Sequence, residues 1–422
     1  MSYSEQMLDA VEKGNMDQAK VLFQKVLAND DDETKFSLAE QLYALGFTGQ
    51  AKRIYQELST KYPDEASVLT ALADIAVSDG DSDTALNYLN RIEPDNPDYV
   101  QALLEMADVY QTQGLYEVSE NKLLTAQKLA PDEPVITFAL GELEFAWGHF
   151  EQAAAAYLDL IEAGEDTVAD VNVHLRYAES LANNGRYEDA VAVYEEYGTG
   201  ELPLADRFQL GALYYQLKDY QKSVDMLKQV VEQDASYTNA YLPLANAERE
   251  TGAMEEALKT VQNGIAQDET NDELYSVGAQ LALDLDDQEL GEKYLQKAMR
   301  IAPDNEHHKL AWSNFLLQAG RDEENIDFLQ DLDADGNGDP QLYWNLARSQ
   351  ERSDDYDNAR GNYLLAFRTF QDRPEFLRDL ARFFRTTAAH AEEQSALTRL
   401  LQIEPDDLDA QDRLDALKNG EY

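Results

Sequence analysis

Five arginines near the end of this 422-residue chain carry its most pointed chemistry. Arg348 and Arg352 stand four positions apart, and Arg378, Arg382 and Arg385 follow at intervals of four and three, so on helices each set shares one face. Guanidinium forks grip carboxylates through paired hydrogen bonds. Such a face fits an acidic segment or a free C-terminus. The alternative is internal: Glu351, Glu375 and Asp379 are near enough in sequence to take these arginines as ion pairs, which contribute little when exposed.

Other reactive groups are sparse. Asp331, Asp333 and Asp335 alternate, Gly336 is sixth in that frame and Asp339 ninth, as in the first half of a calcium loop. The eighth position is Gly338, and the twelfth, where a bidentate glutamate should close the site, is Leu342. The stretch also has the Asp, Gly and Asn content of a plain turn. The adjacent His307 and His308 point two ways on a helix and cannot clamp one metal from one face. There is no cysteine, which removes disulfides, zinc–thiolate sites and thiol nucleophiles. Phosphate loops of the GxxxxGK[ST] type, HExxH and GxSxG are all missing. Neither catalysis nor a cofactor is expected.

Charge narrows the partners. The chain has 83 Asp and Glu against 34 Lys and Arg, a formal charge of -49. That field repels phosphate backbones and anionic membranes, so nucleic-acid binding is not expected; basic partners are drawn in. Solubility or adaptation to salt would produce the same surplus. Residues 1–6 lack a basic and an apolar region, and no run of about 18 apolar residues occurs, so no membrane insertion and a cytoplasmic location are expected.

The elements that position these groups emerge from a repeat. Small residues followed four positions later by a bulky one, such as Ala51 with Tyr55 and Ala153 with Tyr157, extend to a register of Ala19, Ala51, Ala85, Ser119, Ala153, Ala190, Ser223, Ala257, Gly291, Asn325, Ala359 and Glu393. Eight of the eleven intervals are 34 residues. Twelve positions upstream a second small residue recurs, from Ala39 and Ala73 through Gly141 and Gly211 to Ala381. Two small residues so placed let antiparallel helices approach closely. Glycines such as Gly46, Gly148 and Gly252 mark the turn inside each unit. Pro-Asp pairs, as at Pro131-Asp132 and Pro303-Asp304, end one unit and offer a carboxylate to cap the next helix.

Segments such as Leu140-Gly141…Gly148-His149-Phe150-Glu151-Gln152-Ala153…Tyr157 resemble tetratricopeptide repeats (TPRs), and the resemblance covers nearly the whole chain. It resembles the acidic bacterial proteins that consist of these repeats alone. The implied fold is all-α: a right-handed α-α superhelical solenoid of about twelve helix-turn-helix repeats. Asn325 and Glu393 replace a packed small residue with a polar one, so repeats ten and twelve depart most. Residues 1–165 hold repeats 1–5 and residues 166–405 repeats 6–12, and the three extra residues near 163–170 fit either a longer inter-repeat loop or a kink in the superhelix. Residues 406–422 form a C-terminal capping helix with Leu408, Leu414 and Leu417 on one side.

The resemblance also implies which side chains face the concave groove. In the early repeats these are Glu40, Tyr43, Asp74, Asp108, Glu142 and Phe145, an acidic groove with aromatic interruptions. Later they are Asn246, Arg249, Gln280, Asn314 and Gln318, and in the last two repeats Trp344, Arg348, Arg352, Arg378, Arg382 and Arg385. Asparagine amides suit peptide backbones, and Trp344 would be an apolar anchor. The expected function is a protein–protein interaction scaffold, with a chaperone-like factor holding unfolded clients as the alternative; the oligomeric state is open.

Overall fold

The computed structural model describes residues 2–331 and 338–420. The chain forms two compact units, Met1–Asp206 and Arg207–Tyr422. In the first, α1 (Tyr3–Glu12) pairs with α2 (Met16–Asn29), α3 (Asp32–Ala44) with α4 (Thr48–Lys61), and α5 (Ala66–Ser78) with α6 (Ser82–Leu89). The series continues with α7 (Tyr99–Thr112) and α8 (Tyr116–Leu129), α9 (Pro134–Trp147) and α10 (Phe150–Ala163), and α11 (Val173–Asn183) and α12 (Tyr187–Tyr197). After α13 (Leu204–Gln216) and α14 (Tyr220–Gln233), the second unit pairs α15 (Tyr241–Glu250) with α16 (Met254–Gln267) and α17 (Asp272–Asp284) with α18 (Gln288–Ile301). It ends with α19 (Glu306–Gln318) and α20 (Asp322–Phe328), α21 (Pro340–Arg352) and α22 (Tyr356–Phe370), α23 (Pro374–Thr386) and α24 (His390–Ile403), and finally α25 (Leu408–Lys418).

Each residue of the register lies on the second helix of a pair and is buried. The reason is steric. A Cβ at Gly141 would come within 2.8 Å of the Tyr157 ring, and one at Gly291 within 2.6 Å of Leu283. The two serines at this position are satisfied from within: Ser119 donates its hydroxyl to the Ala107 carbonyl at 2.7 Å and Ser223 to that of Gly211 at 2.8 Å. The bulky partners Tyr55, Tyr157, Tyr194 and Tyr363 are at most 2% exposed, and each such side chain contributes about 1.5–3 kcal/mol on burial.

Punctuation differs from expectation in two ways. The turn inside the repeat takes a left-handed residue at Gly46 (φ 82°), but Lys218, Asp286, Asp354 and Ala388 adopt the same conformation (φ 61°, 63°, 61° and 56°) without being glycine. Of the aspartates in Pro-Asp pairs only Asp98 stands at an N-cap, and its side chain accepts no backbone N–H there. The N-cap falls one residue later at Glu65, Glu133, Asn305 and Asp407, and of these only Asn305 and Asp407 accept a backbone N–H.

The extra residues after α10 fold into a two-stranded antiparallel hairpin, β1 (Thr167–Val168) and β2 (Val171–Asn172), which the sequence reading missed. Ala169 and Asp170 both have positive φ, as the tight turn demands. Val168 packs with Phe138, Tyr157 and Val173, tying the hairpin into the core. At the other end α25 packs on α24 through Ala410, Leu414 and Leu417. Leu408, expected on that apolar side, is 70% exposed because it opens the first turn of the helix.

Candidate functional site

The arginines project from the first helices of the last two pairs. Asp379 is the hub between them. Its carboxylate accepts from Trp344 Nε1 (3.1 Å) and Arg382 Nη1 (2.8 Å), and Arg348 Nε lies 3.4 Å away. Glu351 accepts from the Tyr363 hydroxyl at 2.7 Å and from Arg382 Nη2 at 3.4 Å. Burial alone would lower the Arg382 pKa, but Asp379 and Glu351 outweigh it and hold the guanidinium above its ordinary value. Burial and Glu351 both push the Tyr363 phenol up, so it stays a proton donor.

The remaining wall arginines divide sharply. Arg378 bonds Asp407 through Nε (3.0 Å) and Nη2 (2.8 Å) and also reaches Glu404. The Ala410 backbone N–H, then Arg378, hold the Asp407 carboxyl below its usual range. Arg352 Nη1 donates to the Leu317 carbonyl at 2.9 Å and lies 3.4 Å from Asp322. Arg385 is exposed, and its guanidinium makes no hydrogen bond or ion pair among the described residues. Arg378, Arg382, Arg385 and Arg413 line a cavity of about 450 Å³ together with Glu393, Asp407 and Asp409.

Trp344 corrects the expectation of an apolar anchor. It is 5% exposed, its ring packed against Phe370 and Phe376 with the Arg373 guanidinium 5.2 Å from it. Its contribution to the groove is the indole N–H that fixes Asp379. Of the upstream residues, Asn314 lines a cavity of about 490 Å³ with Gln280 and Gln318 and accepts from Asn345 Nδ2 at 2.7 Å. Asn246 is half-buried, and the carboxylate paired with Arg249 is Glu250, at 3.8 Å. The internal ion pairing weighed from sequence is therefore present for Arg348 and Arg382, and Glu375 pairs with Arg373 at 3.5 Å. Arg413 and Glu393 went unnoticed as wall residues; the polar residue in a small-residue register position was the available signal.

The first unit presents the opposite sign. Asp74, Glu105, Asp108 and Glu142 line a cavity of about 550 Å³. Burial raises the pKa of Asp74 and of Glu105. Glu142 accepts from the Tyr157 hydroxyl (2.5 Å) and from Arg176 (2.7 and 2.5 Å), whose guanidinium sits 4.7 Å from the Phe145 ring. Tyr43 shares a hydrogen bond with Ser78 (2.9 Å), and burial, then the charge of Glu40, raises the pKa of Tyr55.

Of the calcium-loop residues, Asp333 and Asp335 lie outside the described residues. Asp339 is spent as the N-cap of α21, accepting from Gln341 N at 2.7 Å. Among the described residues no group of three or more His, Asp or Glu is placed to hold a metal ion, and no helix is long and apolar enough to cross a membrane.

Comparison with known proteins places these features in a wider set. A family model for YpiA-like tetratricopeptide repeats matches residues 111–165, and one for YpiA-like C-terminal tetratricopeptide repeats matches 340–407. General tetratricopeptide-repeat models match 171–196, 214–281 and 274–305. The TPR repeat-containing protein YpiA of Bacillus subtilis (strain 168) is 32% identical over 405 residues, 95% of this chain and 94% of that one. Tetratricopeptide repeat protein 21B of Xenopus laevis is 27% identical over 216 residues, 48% of this chain and 16% of that one. Among solved structures, the APC/C hetero-tetramer Cut9-Hcn1 aligns over 97% of this chain and 95% of that chain, with 12% identity and a TM-score of 0.40, too distant to bear on a partner.

Proposed function

The chain belongs to the YpiA-like family of tetratricopeptide-repeat proteins, and we propose that it is a protein-interaction scaffold without catalytic activity whose last two repeats take an acidic segment of a partner. The observation that carries this reading is Arg385: a guanidinium standing exposed and unpaired beside Arg378 and Arg382 on one cavity wall, in a chain of net charge -49. An exposed fork with free donors is ready to accept a carboxylate without first breaking an internal pair. Arg382 and Arg348 are held by Asp379, so they shape the wall and present their remaining donors. Asn314, Gln280 and Gln318 would continue the contact along the backbone of the same segment. A cytoplasmic location fits this role.

A pull-down from host lysate with the wild-type chain beside Arg385→Glu tests the reading. One stoichiometric partner, lost in the variant, supports it. A diffuse set of clients, unaffected by the substitution and released by salt, supports the holding of unfolded proteins instead.

A further inference from the structure

The hydrophobic core of the second unit is interrupted. One cluster reaches Phe315 and Leu316 in α19. Another begins at Tyr343 and Trp344 in α21 and runs through Phe376 and Phe383 to Leu417 in α25. Between them lie the three buried leucines Leu329, Leu342 and Leu346 and a set of buried polar side chains. Asn345 Nδ2 donates to Ser313 Oγ at 3.1 Å and to Asn314 Oδ1 at 2.7 Å; Asn325 Nδ2 donates to Ser349 Oγ at 2.9 Å. Ser313, Asn325 and Ser349 have no exposed surface, and Asn325 Oδ1 has no hydrogen-bond partner.

The other junctions show what is unusual here. At four of them a small residue of one repeat shares a cluster with a large apolar residue twenty-four positions later, Ala51 with Ile75, Ala85 with Val109, Ala257 with Leu281 and Ala359 with Phe383, while Ser223 has the small Ala247 at that distance. At this junction the order is inverted, with Asn325 against Ser349. Space is filled, but apolar contact is exchanged for an incompletely satisfied polar one, the kind that water satisfies as well as the protein does. α20 spans 7 residues against 14 for α18, so less apolar surface covers the seam.

We infer that this seam is a hinge: residues 340–418 open from α19 and α20 as one cooperative module and carry the whole arginine wall with them. Opening elsewhere in the module would tear the aromatic packing around Phe376 and Phe383, whereas opening here exposes a three-leucine cluster together with amides and hydroxyls that water can satisfy. Arg352, bonded to the Leu317 carbonyl across the seam, is the latch. The inference does not depend on what the wall binds.

Thiol labelling of the full chain, which has no cysteine of its own, tests it. Ser313 at the seam and Ser223 in α14 are both fully buried, and Ser313→Cys is expected to react with a thiol reagent about tenfold faster than Ser223→Cys, because opening at the seam uncovers side chains without breaking helices. Asn325→Ala with Ser349→Leu, restoring the size order of the other junctions, should slow labelling at 313 by about tenfold and leave that at 223 unchanged. Equal labelling of the two positions in the otherwise wild-type chain would overturn the hinge, and that comparison stands if the double variant does not fold. Faster labelling at 313 left unchanged in a folded double variant would overturn it as well.

Discussion

Arg413 of α25 holds Glu393 of α24 with two guanidinium hydrogen bonds, 2.7 and 3.0 Å, on a carboxylate side chain that is 1% exposed. Eleven repeats put a smaller or neutral residue where Glu393 stands, so the last one is shaped to receive this helix and no ordinary successor. Arg413→Ala should destabilise the chain by about 3 kcal/mol by stranding a buried charge, and Glu393→Ala on top of it should restore most of the loss. Urea unfolding followed by circular dichroism measures both; a loss under about 1 kcal/mol for the single variant would show that water reaches Glu393.

Backbone and packing predict opposite signs for two exchanges between glycine and alanine. Ala388, left-handed at φ 56°, should gain about 1 kcal/mol when replaced by glycine. Gly141→Ala should cost about 1–3 kcal/mol because its Cβ meets the Tyr157 ring. Thermal melting of the two variants, with the same sign for both, would contradict the steric account of the register.

Glu248 is 8% exposed and its Oε2 has no hydrogen-bond partner; burial raises its pKa. An acid whose folded pKa exceeds its unfolded value stabilises the fold in its protonated form, fully below the unfolded value, and loses that contribution as pH rises through the folded one. Glu248→Gln should therefore stabilise by about 1 kcal/mol at neutral pH and by almost nothing near pH 4, a crossover that denaturant titrations at the two pH values reveal. Equal effects at both would mean that folding does not raise the pKa of this carboxyl.

Much of the fold was legible because the closest approaches are enforced by size: Ala153, Gly141 and their equivalents must be small wherever the helices cross, and that leaves a periodic mark. What was hidden is pairing at a distance. Nothing in the spacing of Trp344 says that its ring is buried against Phe376 while its N–H reaches Asp379, 35 residues on. The partners of Arg378 and Arg382 depend equally on which carboxylates neighbouring helices bring within reach. The β-hairpin at 167–172 is two residues per strand, too short for a periodic signal.

If Asp379 masks the arginine wall, Asp379→Asn should unmask it. The amide oxygen still accepts from Trp344, while Arg348 and Arg382 lose their ion pairs to Asp379 and Arg382 keeps only Glu351. Affinity for an acidic peptide should rise about fivefold, close to 1 kcal/mol, in calorimetric titration. A fall in affinity would mean that the pairing positions the arginines for the ligand.

The net charge of -49 opposes the approach of any acidic partner. Association should therefore quicken as salt rises to about 0.15 M and long-range repulsion is screened, before contact at Arg385 weakens at higher salt. Stopped-flow rates across a salt series measure this; a monotonic fall would contradict it.

The most direct measurement is a fluorescence-anisotropy titration of a labelled oligoglutamate peptide with the wild-type chain and with Arg385→Glu at about 0.15 M salt. Saturable binding that weakens by about tenfold or more in the variant is the predicted result. No binding by the wild-type chain, or equal binding by both, would contradict the arginine wall as the partner site.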